Sequence, residues 1–303
     1  MQVDVSVIIP TYNAEKYLPQ LLESLQSQSI DFELLIIDSS STDKTGEIAK
    51  QYTDNVMLIP QKEFDHGGTR TKAARLAQGD VLVFLTQDAL PYDRFCLENI
   101  VKAFRSEKIG AAYGKQVPYK ETNLFGKHLR EFNYTDKSYF RDASDIKEHG
   151  IKTAFLSDSF AAYRKASLEA IGWFKDGLIV GEDSYAGAKM IIQGFSIAYV
   201  SEAKVYHSHS YTVFQELKRY FDIGVFHKQE SWILKEFSAA EGEGLRYVKS
   251  EFSYLLKHKV YYLIPQFFVR NLGKYCAYKL GMMYEKLPLL IIKKLSMHKS
   301  WWK

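Results

Sequence analysis

Cysteine is scarce in this chain: Cys96 and Cys276 are the only two among 303 residues, and they stand far apart. There is no CxxC pair and no Cys/His zinc spacing, so a disulfide framework and a structural zinc site are excluded and a reducing compartment is indicated. Charge of one sign is also lacking. Forty basic residues against 36 acidic ones leave a net charge of +4, too small to argue for nucleic-acid binding by itself. The opening MQVDVSVIIP carries an acidic residue inside its apolar run and no basic leader, so no secretory signal is expected. The longest apolar run of the C-terminal part, residues 260–269, contains Pro265 and Gln266 and then meets Arg270. It falls short of the ~20 residues that a bilayer span requires. Repeats and low-complexity segments are absent. A cytoplasmic protein is the expectation. What the chain does have is apolar and aromatic content, 46% and 15%. That suffices for one large core or two modest ones, with rings that suit sugar faces, base stacking or membrane interfaces as well as core filling.

Hydrophobic periodicity supplies the architecture. Residues 3–9 read as a buried strand stopped by Pro10-Thr11-Tyr12-Asn13, and residues 17–28 carry Leu18, Leu21, Leu22 and Leu25 at helical spacing. A second strand at 32–37 ends in Asp38. A helix at 42–50 with Thr42 as its cap and a third strand at 56–59 follow. A glycine-containing segment, 63–70, flows into a helix at 71–77, and a fourth strand occupies 81–85. This alternation predicts an α/β fold with a doubly wound, mostly parallel sheet. The chemically interesting residues fall just past strand ends, where open α/β sheets bind ligands. Beyond residue 110 the rhythm changes. A strand at 111–114 and a polar, aromatic-rich stretch to about 149 come first, then short strands at 154–156 and 160–163 around Asp158. Helices from Lys165 and through Met190 precede closing strands at 197–200 and 204–206. The expected division is a catalytic domain over 1–213, with a nucleotide-binding half at about 1–115 and an acceptor half at about 116–213. A helical, basic and aromatic region over 214–303 completes the chain, divided by Pro265 and Pro288.

Five motifs arrive in one order: PTYN at 10–13, EFDHGGTRTKAARLAQGD at 63–80, VFLTQDALP at 83–91, GED at 181–183 and HSH at 207–209. In these the chain resembles the family-2 glycosyltransferases with the GT-A fold, over roughly residues 3–210. The second and third are similar to the bacterial rhamnosyltransferase branch, enzymes that use dTDP-rhamnose to build surface polysaccharides. The resemblance implies a donor site at Thr11, Tyr12 and Asp38. Chemically, Tyr12 can stack on a pyrimidine while Asp38 accepts from its ring N–H; the plain alternative is a turn and a helix cap. In the 65–70 segment, glycines admit a ligand to the backbone, a helix N-terminus favours anions, and Arg70 can pair with phosphate oxygens. The alternative there is a turn with a solvated arginine. Asp65 and His66 either bind the donor sugar or tie down the loop.

The TQDA segment occupies the place of the family's DxD motif, with Gln87 on the donor side and Asp88 as the metal-side carboxylate. Thr86 stands where the family has a ribose-side aspartate, a departure that puts ribose recognition in doubt. One carboxylate, diphosphate oxygens, a histidine and waters complete an octahedral Mg²⁺ or Mn²⁺ shell. His207 is the first choice for that histidine and His209 the second, since residues two apart on extended chain face the same way. The resemblance makes Asp183 the catalytic base of a direct, inverting displacement, with Glu182 as its neighbour or an acceptor-binding residue. The simpler account is a pair of acids at a helix N-terminus. Asp158 is a further acceptor-side candidate.

In the tail, Lys257, Lys259, Arg270, Lys274, Lys279, Lys286, Lys293, Lys294, Lys299 and Lys303 face a single acid, Glu285, and alternate with aromatic and aliphatic residues. That mixture suits a helix lying on an anionic membrane face, or else packing on the catalytic domain or another subunit. The expected function is an inverting, metal-dependent rhamnosyltransferase acting on a glycan or lipid-linked glycan. It is cytoplasmic, with attachment to the inner membrane face as an option, and takes a nucleotide diphosphate sugar and no nucleic acid as partner. Rival readings are the same chemistry with a UDP-hexose or UDP-N-acetylhexosamine, and a non-catalytic nucleotide-sugar or glycan binder. The binder reading has no need of Asp88, Asp183 and His207 together. Nucleotidyl transfer lacks its glycine-rich, lysine-bearing loop, since PTYNAEKY is not one.

Overall fold

The computed structural model describes residues 4–237 and 242–302; Val3, assigned above to the first strand, and Lys303, in the basic tail, lie outside them. Nine strands form one sheet: β1 (Val5–Thr11), β2 (Glu33–Asp38), β3 (Val56–Leu58), β4 (Val81–Leu85), β5 (Leu90–Pro91), β6 (Ile109–Val117), β7 (Tyr139–Arg141), β8 (Phe160–Arg164) and β9 (Ser196–Tyr206). Between them run α1 (Leu18–Gln26), α2 (Thr45–Ala49), α3 (His66–Leu76), α4 (Cys96–Val101), α5 (Leu124–Asn133), α6 (Ile146–His149), α7 (Lys165–Ala170) and α8 (Glu182–Ile192). The tail contributes α9 (Val213–Gln229), α10 (Ser231–Phe237), α11 (Glu243–Lys257), α12 (Ile264–Met282) and α13 (Leu289–Leu295).

The strand order is β3-β2-β1-β4-β8-β6-β9-β5, with β7 on the side of β9. The first four strands are mutually parallel, as the alternation of strands and helices predicts. β8 then runs antiparallel to both β4 and β6, whereas β6 and β9 are parallel. Strand β4 is apolar throughout because both of its faces are covered. Val81, Val83 and Leu85 enter one core with Val7, Ile9 and Leu21, while Leu82 and Phe84 enter the other with Ile8, Tyr113 and Tyr163. The second of these cores also takes in Phe221, Val225 and Phe226 of α9, Ala277 of α12, Ile292 of α13 and Trp302. The tail is thereby welded to the sheet.

Several boundaries differ from those read in the sequence. α2 begins at Thr45 rather than 42, because the Asp43 carboxylate accepts from the Thr45 amide at 3.0 Å. α3 begins at His66 rather than 71, capped by Asp65. Residues 154–156 form the end of a 3-10 turn and its exit rather than a strand, and 196–206 is one strand with a register irregularity instead of two. Pro265 opens α12 and Pro288 caps α13, the positions a residue without an N–H tolerates best.

Candidate active site

At the C-terminal ends of β1 and β2, the Thr11 hydroxyl donates to Asp38 Oδ1 at 3.0 Å, and the Ser41 amide donates to Asp38 Oδ2 at 2.9 Å. Thr11 and Asp38 are both buried, while the Tyr12 ring beside them is 41% exposed. Gln87 does not point away from the protein. Its side-chain oxygen accepts from the Tyr12 amide at 2.9 Å and its NH₂ donates to the Tyr12 carbonyl at 3.3 Å, locking the ends of β1 and β4 together.

Just beyond β4, Asp88 meets the histidines that follow β9. His207 Nε2 lies 3.5 Å from one carboxylate oxygen, and His209 Nε2 lies 4.0 Å from the other. Donor atoms of all three fall within 4.8 Å of one another. Burial favours the neutral form of His207, more than offsetting the pull of Asp88. His209 is pushed down to about 4 by burial first and then by its neighbours His207, Arg130 and Arg219. For Asp88, burial opposes ionisation, but contact with His207 first, and then with Thr86 and His209, outweighs it and holds the carboxylate ionised. The orientation of His207 is fixed from behind. Gln116 donates to Ser157 Oγ at 2.9 Å, which leaves its oxygen to accept from His207 Nδ1 at 2.9 Å. With the proton on Nδ1, Nε2 keeps a lone pair for a cation that Asp88 would share. One carboxylate and two neutral imidazoles converging on one point are a fitting donor set for a divalent cation.

Ser157 connects this cluster to a second one. The next residue, Asp158, has its amide 3.3 Å from Asp183 Oδ2. Its carboxylate takes the Tyr163 hydroxyl at 2.5 Å on one oxygen and Arg70 Nε at 3.0 Å on the other. Arg70 Nη1 reaches Glu182 at 3.0 Å. One guanidinium is thus shared between two carboxylates. Burial disfavours the charge of Arg70, yet Glu182 and Asp158 more than compensate and keep it protonated. Burial raises Asp158 to about 8 and, with the adjacent Glu182, raises Asp183 to about 6. Such coupled groups release their protons as a set. Asp158 is 3% exposed and Glu182 7%, so both are closed off. Asp183 keeps part of its surface open. Of the three acids, it is the one a substrate can touch.

This geometry revises several roles expected from the sequence. Asp158 does not face an acceptor, because both its oxygens are engaged by Tyr163 and Arg70. Arg70 is committed to carboxylates and not presented to a diphosphate. Of the two readings for Asp65 the geometry fits the second: it accepts from Gly68 N at 2.6 Å and from Gly177 N at 3.0 Å, which ties the loop down. Gly67 leaves room for protein rather than ligand, since a Cβ there would sit 1.9 Å from the Lys175 carbonyl oxygen. His66 lies at the rim, 3.9 Å from Glu182 and edge-on to the ring of His298, and burial lowers it to about 4. His298 is held there by Asp222 of α9, which accepts the His298 and Met297 amides.

The sequence reading missed Gln116, Ser157 and Tyr163, which look like ordinary strand and loop residues. It also missed Arg130, whose Nε donates to the His207 carbonyl at 2.9 Å, and Arg219. Arg219 shares a helical stripe with Asp222 and Phe226, and Phe226 packs against Gly181 just before Glu182. The sequence signal for Arg219 was only its position, about two turns into the helix after HSH.

A mixed sheet with a carboxylate–histidine cluster and an acidic helix N-terminus on one rim defines a nucleotide-sugar transferase of the GT-A fold. The chain belongs to glycosyl transferase family 2, whose pattern its residues 6–172 match. It is 44% identical over 300 residues to the O-antigen chain rhamnosyltransferase WbaN of Salmonella anatum, covering 98% of this chain and 95% of that protein. It is 42% identical to RfbN of Salmonella typhimurium, an O-antigen chain rhamnosyltransferase, over 98% of this chain and 96% of that one. Among solved structures it is similar to a mannosyltransferase of Pyrobaculum calidifontis in complex with GDP-Man and Mn²⁺. The TM-score is 0.67 at 17% identity, covering 95% of this chain and 89% of that one.

Proposed function

We propose that the protein transfers L-rhamnose from dTDP-rhamnose to a hydroxyl of a glycan or lipid-linked glycan during surface polysaccharide synthesis, with inversion at the anomeric carbon. The observation that carries the chemistry is the unbroken path from Asp88 through His207, Gln116 and Ser157 to Asp158 and Asp183. It links a cation-binding set to an accessible base on one rim. The rhamnose assignment is supported by near full-length similarity to two O-antigen chain rhamnosyltransferases.

In this reading Tyr12 stacks on the base while Thr11 and Asp38 shape its edge. Asp88, His207 and His209 hold the metal, and two imidazole donors favour Mn²⁺ over the oxygen-seeking Mg²⁺. Bound there, the cation supplies charge neutralisation for the diphosphate. Arg219 and Arg130 add positive charge on the same side. Asp183 removes the acceptor proton as the acceptor oxygen bonds to the anomeric carbon and the bond to the diphosphate breaks. Arg70 fixes Glu182 and Asp158 so that Asp183 alone stays available. No helix among the described residues is long and apolar enough to cross a membrane. The site of action in this proposal is the cytoplasmic side of the membrane.

A panel of nucleotide sugars tests the donor, by turnover and by protection against thermal unfolding with and without Mn²⁺. Rhamnosyl transfer and a dTDP-rhamnose response are expected; activity with a UDP-sugar alone rejects the assignment. Asp183→Asn should abolish transfer and spare donor binding.

A further inference from the structure

α12 presents to solvent a surface that nothing in the reaction requires. Phe268, Val269, Leu272, Tyr275, Leu280 and Met283, the last just past the helix end, form one stripe at helical spacing. Each is 39–67% exposed. Tyr262, in the turn that leads into the helix, is 77% exposed. A helix normally rotates such a stripe inward. Here rotation is blocked, because the opposite face of α12 is locked onto α9 at two glycines. A Cβ on Gly281 would lie 2.1 Å from the Phe221 carbonyl oxygen, and one on Gly224 would lie 2.3 Å from that of Tyr278. The inner face also holds Arg270, paired with Glu216 at 2.7 Å, and Lys274, set over the rings of Tyr220 and Tyr247. The outward stripe is therefore a fixed property of the fold.

The charge around it selects the occupant. Lys257 and Lys259 lie at its N-terminal end, Lys279 lies within it, and Lys286 lies beyond its C-terminal end, all exposed. From residue 257 to the C-terminus the chain has one acidic residue, Glu285, and Lys228 already sits 3.6 Å from it. A two-fold contact between copies of this face would bring lysine against lysine with no acid to answer. An anionic sheet of headgroups over hydrocarbon answers both the lysines and the stripe. The one-sidedness of the apolar surface suits a helix lying in the interface rather than crossing it.

We propose that the outer face of α12 docks the protein on an anionic lipid bilayer, with the helix in the membrane plane. This refines the membrane-side location proposed above and is independent of which sugar is transferred. The test is co-sedimentation of the full chain with vesicles of phosphatidylcholine alone, or of phosphatidylcholine with one part in three phosphatidylglycerol. Binding to the anionic vesicles should exceed binding to the neutral ones by about tenfold or more and weaken with added salt. A Leu272→Glu/Tyr275→Glu variant should lose that binding by a similar factor while keeping its melting temperature and its transfer to a water-soluble acceptor. Leu272→Ser should weaken it less. Equal vesicle binding by variant and wild type overturns the proposal, as does no binding to anionic vesicles. So does a dimer in light scattering that the double variant converts to monomer, which makes the stripe a self-association face. None of these outcomes bears on the donor assays, so the two readings fail separately.

Discussion

Neutralising Glu182 should move the pH dependence of catalysis in a calculable direction. In the proposed mechanism Asp183 must be ionised to accept the acceptor's proton, and in the folded protein it is raised to about 6 by burial and by Glu182. The acid limb of kcat/KM should therefore fall as pH drops through about 6. Glu182 adjoins Asp183 in the chain and pairs with Arg70. A like charge on an adjacent side chain, taken at about 5 Å and an effective dielectric of about 20, repels by roughly 3 kcal/mol, or about two pK units. Arg70 already offsets part of that repulsion, so removing the Glu182 carboxylate should relieve about one unit. It also frees the guanidinium to favour the remaining acids, and both effects have the same sign. In Glu182→Gln the acid limb should shift down by about one unit, whatever happens to the plateau. The assay is kcat/KM with a soluble acceptor from about pH 4.5 to 9 at saturating Mn²⁺. Saturating metal keeps the Asp88–His207–His209 set out of the profile. A limb that stays in place or moves upward refutes the shared-charge account.

Three further outcomes follow from the same geometry. Gln116→Leu removes the acceptor that orients His207 and should weaken Mn²⁺ binding by about 10–100-fold in titration calorimetry; unchanged affinity makes Gln116 a bystander. Arg70→Met leaves two acids around a vanished cation and should cost about 3–5 kcal/mol in urea unfolding. Adding Glu182→Gln and Asp158→Asn should recover much of that loss, and a loss that persists instead points to packing. Gly224→Ala must push apart α9 and α12, at about 1–3 kcal/mol, so an unchanged urea midpoint contradicts the close crossing.

The motifs were legible in the sequence because their chemistry sits at strand ends. Asp88, His207 and His209 meet as their spacing suggests, since two-residue alternation after β9 turns both rings to one side. The parallel quartet β3-β2-β1-β4 was legible for the same reason, through apolar runs separated by helices. The antiparallel insertion of β8 was not, because an apolar run does not encode strand direction. The roles of Gln87, Arg70 and Asp158 could not be read either. Each has the residue type of a ligand contact, but whether its polar atoms face a cleft or a neighbouring backbone depends on loops that meet only in three dimensions. Gly67 illustrates this: the absence of a side chain served the Lys175 carbonyl, not a diphosphate.

The acid cluster also sets a cost on the fold, and its sign separates function from stability. In an unfolded chain Asp183 titrates near 3.8, whereas in the folded protein it holds its proton to about 6. Between those values the native state binds more protons than the unfolded state, so stability falls as pH rises. The favourable contribution is complete below about pH 4 and is lost as pH passes through about 6. A rise of about two pK units corresponds to roughly 3 kcal/mol at most, and the partial exposure of Asp183 reduces it to about 1–2. Buried histidines such as His66 and His227, both lowered to about 4, act with the opposite sign over the same range, so the total curve does not isolate the effect. The difference between wild type and Asp183→Asn does, since those histidines are common to both. Urea unfolding at pH 4.5 and at pH 7.5 should show the variant gaining on wild type by about 1–2 kcal/mol across the interval. A constant gap shows that Asp183 ionises as an ordinary surface acid. A fold that accepts this penalty at neutral pH, with Asp158 and Glu182 closed away and Asp183 left partly open, keeps a carboxylate where the proposed proton-accepting role would use it.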